Sequence, residues 1–110
     1  MYVYDQANNL AKSIKESKEY LEYKKAKEDL KSNPEMKAKI DEFEKIRYEV
    51  QVAAFQGADQ DEEKQRKLQQ MYQMLMQDSK VKEFFDIEVR FNIMLADVNK
   101  IISESVKDLL

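Results

Sequence analysis

Helix-breaking residues are almost missing from this chain, which has one glycine, Gly57, and one proline, Pro34, in 110 residues. These two residue types disfavour the interior of a helix more than any others, so long helical segments are left uninterrupted. Most other positions hold good helix formers such as Lys, Glu, Gln, Leu, Met and Ala, and β-branched residues are scattered. We therefore expect an all-α protein without strands.

The clearest break in the helical pattern is the segment Ser32–Asn33–Pro34. Asn33 can accept hydrogen bonds from the free amides at a helix N-terminus, and Pro34 suits the first helical position because it has no N–H to leave unpaired. Gly57 has free access to the left-handed conformation that often follows a helix. A helix is therefore predicted from Pro34 to about Gln56. Its apolar residues recur every three or four positions and predict a coiled-coil-like seam of Met36, Ile40, Phe43, Ile46, Val50 and Ala53.

The other boundaries rest on weaker signals. Ser17 is a candidate N-cap between the first two helices, although the pattern is also compatible with one continuous helix. Asp59 or Asp61 can start the fourth helix, and Asp78–Ser79 marks the turn into the last one. The predicted helices accordingly cover about 4–15, 18–31, 34–56, a segment that begins at 59 or 61, and 80 toward 110.

The last predicted helix carries apolar residues on two sides. One face holds Phe84, Phe91, Leu95, Val98, Ile102 and Leu109, and a second ridge holds Phe85, Val89, Ile93 and Ala96. A helix that is apolar on two sides packs on two sides. About 30 residues at ~1.5 Å each also form a rod of roughly 45 Å, whereas a compact chain of this size is about 35 Å across.

One copy of the chain is therefore expected to leave part of this helix uncovered. The sequence predicts a single helical domain, 1–110, folded as an elongated antiparallel bundle of four to five helices that assembles as a dimer or higher oligomer. The residues predicted to contact another copy are Phe84, Phe85, Phe91, Leu95, Val98 and Ile102.

Most catalytic chemistry lacks its residues here, because the chain has neither histidine nor cysteine. Nucleophilic relays built on His or Cys cannot be assembled, and no thiolate can hold a metal. Asp59, Asp61 and Glu63 alternate like calcium ligands, but Lys64 occupies the sixth loop position, where a calcium loop needs glycine. We expect no enzymatic activity, no catalytic residue, no cofactor and no bound metal.

Direct binding of single-stranded nucleic acid is the alternative function, through the Lys- and Tyr-rich segment 12–31. Tyr20 and Tyr23 lie near lysines, but tyrosines at helical spacing more often line the margin of a core. Acidic residues also cancel the local positive charge, and the net charge of the chain is −3. Since no apolar run approaches ~20 residues and no signal peptide is recognisable, a cytoplasmic protein without membrane contact is expected.

Three stretches carry a recognisable pattern of aromatic, apolar and turn residues. They are Tyr4-Asp5-x-Ala7-x-x-Leu10-Ala11 with Ser17-x-Glu19-Tyr20 and Tyr23-Lys24-x-Ala26; Asn33-Pro34-Glu35 with Ile40 and Phe43; and Val81-x-x-Phe84 with Val89, Phe91, Leu95 and Val98-Asn99-x-Ile101-Ile102. In these stretches the chain resembles the YlbF/YheA/YmcA family of small bacterial helical proteins over nearly its whole length. It is most similar to the YheA branch.

The resemblance implies helix hairpins that pair into dimers or higher oligomers. For the better-studied branches it also implies a cytosolic regulatory adaptor, which acts with a partner complex linked to ribonuclease Y-dependent RNA processing, competence, sporulation and biofilm formation. Iron–sulfur clusters in family complexes need cysteine ligands, so that property does not extend to this chain. The expected partners are the protein itself, as a dimer or tetramer, and other regulatory proteins.

Overall fold

The computed structural model describes residues 2–57 and 61–110, and within these ranges the chain forms α-helices, one short 3-10 helix and no strand. The all-α prediction is therefore confirmed. The helices are α1 (Tyr2–Glu16), α2 (Lys18–Lys31), α3 (Pro34–Phe55), α4 (Glu62–Leu75), α5 (Ser79–Ser105) and a 3-10 helix at Lys107–Leu109.

Polar side chains cap the N-termini of α2 and α3 at the positions that the sequence predicted. The Asn33 Oδ1 atom accepts hydrogen bonds from the amides of Glu35 and Met36 at 3.0 and 3.2 Å, ahead of Pro34 at the start of α3. The Ser17 Oγ atom accepts from the Tyr20 amide at 3.2 Å. The break between α1 and α2, which the pattern left open, is thus present because a free amide finds a side-chain partner.

The turns around α4 follow the same principle. Asp61 caps α4, since its Oδ1 atom accepts from the amides of Glu63 and Lys64 at 3.0 and 3.2 Å. Asp59, the other candidate start and a member of the calcium-like pattern, lies outside the described residues. Gly57, which follows α3, adopts a left-handed conformation with φ of 69°, as predicted for a residue without a β-carbon.

The prediction that the last helix continues toward Leu110 was wrong. α5 ends at Ser105, where the hydroxyl donates to the Ile102 carbonyl at 2.6 Å, and a 3-10 helix follows. The final carbonyls of a helix have no partner in the next turn, so tighter i→i+3 hydrogen bonds commonly replace the α-helical ones there. The Leu109 amide makes such a bond to the Val106 carbonyl at 3.0 Å.

Backbone contacts group the chain into two compact units. Unit 1 comprises Met1–Lys27 and Phe84–Leu110, and unit 2 comprises Glu28–Glu83. The boundaries fall inside α2 and α5, so these two helices contribute to both units. The organisation as a single domain stays a prediction.

The core of unit 2 is formed mainly by the apolar seam of α3. Ile40, Phe43 and Ile46 are buried at its centre, while the outer members of the predicted seam, Met36, Val50 and Ala53, are half-buried. α4 adds Leu75 to the same core. The Phe43 and Tyr72 rings lie 6.2 Å apart, and Glu49 pairs with Lys64 at 3.1 Å, so later residues of α3 meet earlier residues of α4. These two helices are therefore antiparallel.

A small ion-pair network joins α2 to α3 within unit 2. The Lys31 ammonium lies 2.8 Å from carboxylate oxygens of both Asp41 and Glu44, and Lys37 also contacts Asp41 at 2.8 Å. Hydrogen bonds from Lys31 and then Lys37 lower the pKa of Asp41 from 3.8 to about 2. Partial burial lowers the pKa of Lys31, but its hydrogen bonds to Asp41 and Glu44 outweigh burial and raise it overall.

This network predicts a loss of stability in acid. Because the pKa of Asp41 is lower in the folded state, its stabilisation is complete above its unfolded value of 3.8 and is lost as the pH falls through about 2. Urea unfolding of the wild type and of Asp41→Asn between pH 6 and pH 2 measures this. The free energies of unfolding of the two proteins are expected to differ at pH 6 and to converge as the pH falls from about 4 toward 2. A difference that stays constant with pH would contradict the lowered pKa of Asp41.

Candidate interaction surface

Aromatic rings join α2 to α5 within unit 1. The Tyr23 ring lies 5.2 Å from that of Phe91 and 5.7 Å from that of Phe84, and Tyr20 meets Phe91 edge-on at 6.2 Å. Both tyrosines are half-buried, so the interpretation that they line a core margin is confirmed. Their rings are engaged with phenylalanine, as expected for amphipathic side chains at such a margin.

A buried carboxylate lies beside this aromatic cluster. Glu88 is only 6% exposed, and its Oε2 atom accepts a hydrogen bond from the Tyr23 hydroxyl at 2.7 Å. The Lys27 ammonium lies 5.8 Å from the centre of the Tyr23 ring. Burial of a carboxylate is unfavourable unless polar groups pair with it. The hydrogen bond between Tyr23 and Glu88 therefore fixes the pairing of α2 with α5. Its position four residues after Phe84 places Glu88 on the apolar face of α5, but nothing in the sequence marks it as buried.

Burial decreases along α5 from its N-terminal to its C-terminal part. Phe84 and Phe85 are 2% and 5% exposed, Phe91 and Leu95 are half-buried, and Ile102 is 53% exposed. Val98, the remaining predicted interface residue, is also half-buried. Phe84 and Phe85 therefore belong to the core and offer almost no surface, whereas the later residues retain apolar area that a partner could cover.

The second apolar ridge of α5 is largely open to solvent. Phe85, its first member, is buried, but Val89 and Ile93 are more than half exposed and Ala96 is exposed. Ile101, which widens the first face, is 69% exposed. Several large apolar side chains of one helix in contact with water exceed the scattered exposure that is normal for a soluble protein.

A shallow groove runs along this part of α5 and has a volume of about 430 Å³. Its lining combines apolar side chains with three charged ones and consists of Glu19, Arg90, Ile93, Met94, Asp97, Val98 and Ile101. Apolar area rimmed by charge is typical of a surface that binds another protein. Across the described parts of the chain, no three acidic side chains converge in a way that could hold a metal ion.

α1 adds a further apolar stripe to unit 1. Of its members, Leu10 and Ile14 are half-buried, but Tyr4 is 64% exposed, and Ala7 and Ala11 are also exposed. No residue of α1 that the structure describes is fully buried. The helix thus retains apolar area beyond what its own unit covers.

Unit 2 has a smaller apolar opening near the end of α4. Met71 is half-buried, whereas Met74 is largely exposed and lines a groove of about 340 Å³ with Met36 and Leu75. The spacing of the methionines around Leu75 indicates that some of them are exposed, and the contacts of α4 with α3 decide that Met74 is one of these. This groove has fewer exposed apolar residues than the face of α5.

Comparisons with known proteins agree with the fold. A family model described as "Control of competence regulator ComK, YlbF/YmcA" matches residues 3–107. A UPF0342 protein of Symbiobacterium thermophilum is 36% identical over 94% of this chain and 93% of its own length. Another, from Alkalihalophilus pseudofirmus, is 30% identical over 97% of this chain and 91% of its own length.

A solved structure shares the fold. The protein of unknown function (DUF964) from Bacillus stearothermophilus aligns with a TM-score of 0.79 and 18% identity, over 99% of this chain and 96% of the other. The descriptions of these proteins name no enzymatic activity. None of the helices in the described residues is both long and apolar enough to cross a membrane.

The matches confirm the family that the sequence resembles, while the assignment to its YheA branch stays a prediction. Because the family model spans nearly the whole chain, this protein belongs to the YlbF/YmcA family, which is described by its control of the competence regulator ComK.

Proposed function

We propose that this protein is a homo-oligomeric helical adaptor without enzymatic activity, which regulates RNA processing and development in its bacterial host through partner proteins. The observation that carries the proposal is the exposed apolar face of α5, which begins in a core and ends in solvent. Surfaces of this kind are found where proteins bind one another.

Self-association is supported by the continuity of this face with the core. Leu95 and Val98 are half-buried and Ile102 is more than half exposed on the same side of the helix as the buried Phe84. Covering a side chain of this size is worth roughly 1.5–3 kcal/mol. A second copy brings an identical face, so each residue covered in one copy is covered again in the other.

The regulatory part of the proposal is supported by the family, whose description refers to control of ComK. Helices without a catalytic constellation act through what they bind, and the face of α5 supplies a surface for binding. Deleting the gene and following ribonuclease Y-dependent transcript cleavage tests this part. We expect cleavage to decrease in the deletion strain and to return with the wild-type gene; unchanged cleavage would contradict the link to RNA processing.

Replacement of Ile93, which is 55% exposed, by aspartate is expected to break the assembly without unfolding the chain. A carboxylate at this position cannot be buried against a partner without a large desolvation cost, whereas in a free monomer it is solvated. Because loss of about 1.4 kcal/mol weakens an association tenfold, we expect self-association at least tenfold weaker. Sedimentation equilibrium between about 1 and 100 µM measures it.

Asn92→Asp is the matched control, because it adds the same charge at the preceding residue, which is also exposed, and removes no apolar side chain. It is expected to associate as the wild type does, with unchanged helicity by circular dichroism. A wild type that is monomeric at 100 µM would overturn the proposal. A salt-sensitive shift of single-stranded RNA by the pure protein would instead favour direct nucleic-acid binding.

A further inference from the structure

Two neighbouring ridges cross the open part of α5. Residues four apart on a helix lie in one row, and two such rows carry the groove residues of this helix. The first row is Val89, Ile93, Asp97 and Ile101, and the second is Asp86, Arg90, Met94 and Val98. The first row therefore has one charge among three apolar side chains, and the second row has two charges followed by two apolar side chains.

The two rows are complementary to each other in reverse order. A two-fold axis between Ile93 and Met94 would place residue i of one copy opposite residue 187 − i of the other. Val89 then meets Val98 of the other copy, Ile93 meets Met94, and Asp97 meets Arg90. Two apolar matches and one ion pair result, and the symmetry produces each of them twice.

Each row contains a charged side chain that has no ion-pair partner among the described residues. In residues 2–57 and 61–110, neither Arg90 nor Asp97 forms an ion pair, and both are exposed. They are seven residues apart, or about 10.5 Å along the helix axis, so they cannot pair with each other. Glu19 of α2 lines the same groove as Asp97 and provides a second carboxylate for an arriving guanidinium.

We infer that α5 packs antiparallel against α5 of a second copy, with the crossing at Ile93 and Met94 and with reciprocal ion pairs between Arg90 and Asp97. This inference rests on the self-association in the proposed function and specifies its geometry. Packing of i±4 ridges from both helices is the commonest mode of helix contact and produces a crossing angle near −50°.

The crossing angle explains why the fourth pair of residues in these rows is less complementary than the other three. Asp86 falls opposite Ile101 of the other copy, about two turns from the crossing point. Helices that cross at a steep angle diverge at that distance, so the Asp86 carboxylate stays hydrated. Glu83 and Glu104, which fall opposite each other still farther out, are separated for the same reason. The contact is thus concentrated on about three turns of α5, from Val89 to Val98.

Charge reversal tests this geometry. Arg90→Glu and Asp97→Arg each place like charges opposite each other twice per dimer, and each is expected to weaken self-association about tenfold or more. The double variant restores opposite charges and is expected to associate within about threefold of the wild type. Sedimentation equilibrium measures the association, and circular dichroism checks that each variant keeps its helices.

Lys24→Glu is the matched control for Arg90→Glu, because it reverses an exposed charge of unit 1 that lies on α2 and belongs to neither ridge; it is expected to leave self-association unchanged. A wild type that associates but is insensitive to all three α5 variants would overturn this inference and leave the proposed function standing. A wild type that stays monomeric would overturn both. Weakening by the single variants without recovery in the double variant would also contradict the antiparallel pairing.

A disulfide measures the crossing point directly, because the chain contains no cysteine. Ile93→Cys places one thiol next to the two-fold axis, opposite Met94 of the other copy and one position away from the corresponding thiol of that copy. We expect rapid formation of a disulfide-linked dimer under mild oxidation, whereas Lys24→Cys is expected to stay mainly monomeric on a non-reducing gel. Equal cross-linking of the two variants would show that position 93 is not at the crossing.

Discussion

Phe43→Ala is expected to destabilise the protein by about 3–5 kcal/mol, the usual range for removing a phenylalanine from a core. Phe43 is 3% exposed, its ring lies 6.2 Å from that of Tyr72, and the Arg47 guanidinium lies 5.2 Å from its centre. Alanine therefore leaves a cavity between α3 and α4 and removes both ring contacts. For a chain of this length the change corresponds to a decrease in Tm of roughly 15–20 °C.

Phe55→Ala is the matched control, since Phe55 lies on the same helix but is 94% exposed. The same substitution there removes almost no contact within the chain and is expected to change the free energy of unfolding by about 0.5 kcal/mol or less. Urea unfolding followed by circular dichroism measures both variants. Equal destabilisation by the two substitutions would show that α3 does not bury the face described here.

Phe91→Asp is expected to lower the free energy of unfolding of unit 1 by about 3 kcal/mol or more. The substitution removes the ring that both Tyr20 and Tyr23 contact, and it places a carboxylate one turn after the buried Glu88. Large destabilisations arise when an unpaired charge enters a packed site. A lower urea midpoint, together with loss of the near-ultraviolet tyrosine circular dichroism signal, reports this effect.

Phe91→Leu separates the charge from the loss of the ring. It keeps an apolar side chain and is expected to cost about 1–2 kcal/mol, which includes the aromatic contacts. An aspartate variant as stable as the leucine variant would show that position 91 faces solvent. Since Phe91 takes part in the core of unit 1, loss of assembly in Phe91→Asp would combine unfolding of unit 1 with loss of the interface. Ile93→Asp is therefore the cleaner probe of the interface.

The sequence determined which segments are helical and where most helices begin, because these features depend on local chemistry. Asn33, Pro34, Gly57 and Asp61 act on backbone groups within a few residues of themselves, so their effects are readable from the sequence. The apolar spacing of α3 predicted its buried centre for the same reason: a helix carries its own periodicity.

The tertiary structure decided which apolar residues are covered. The spacing of α5 places Phe84 and Ile102 on one face, yet one is buried and the other is more than half exposed. Periodicity identifies a face but not how far along it the neighbouring helices reach. In the sequence, Glu88 is one of 22 acidic residues and nothing distinguishes it from the others. In the structure it is buried and hydrogen-bonded to Tyr23, which lies 65 residues away in the chain, so only the tertiary structure reveals its role.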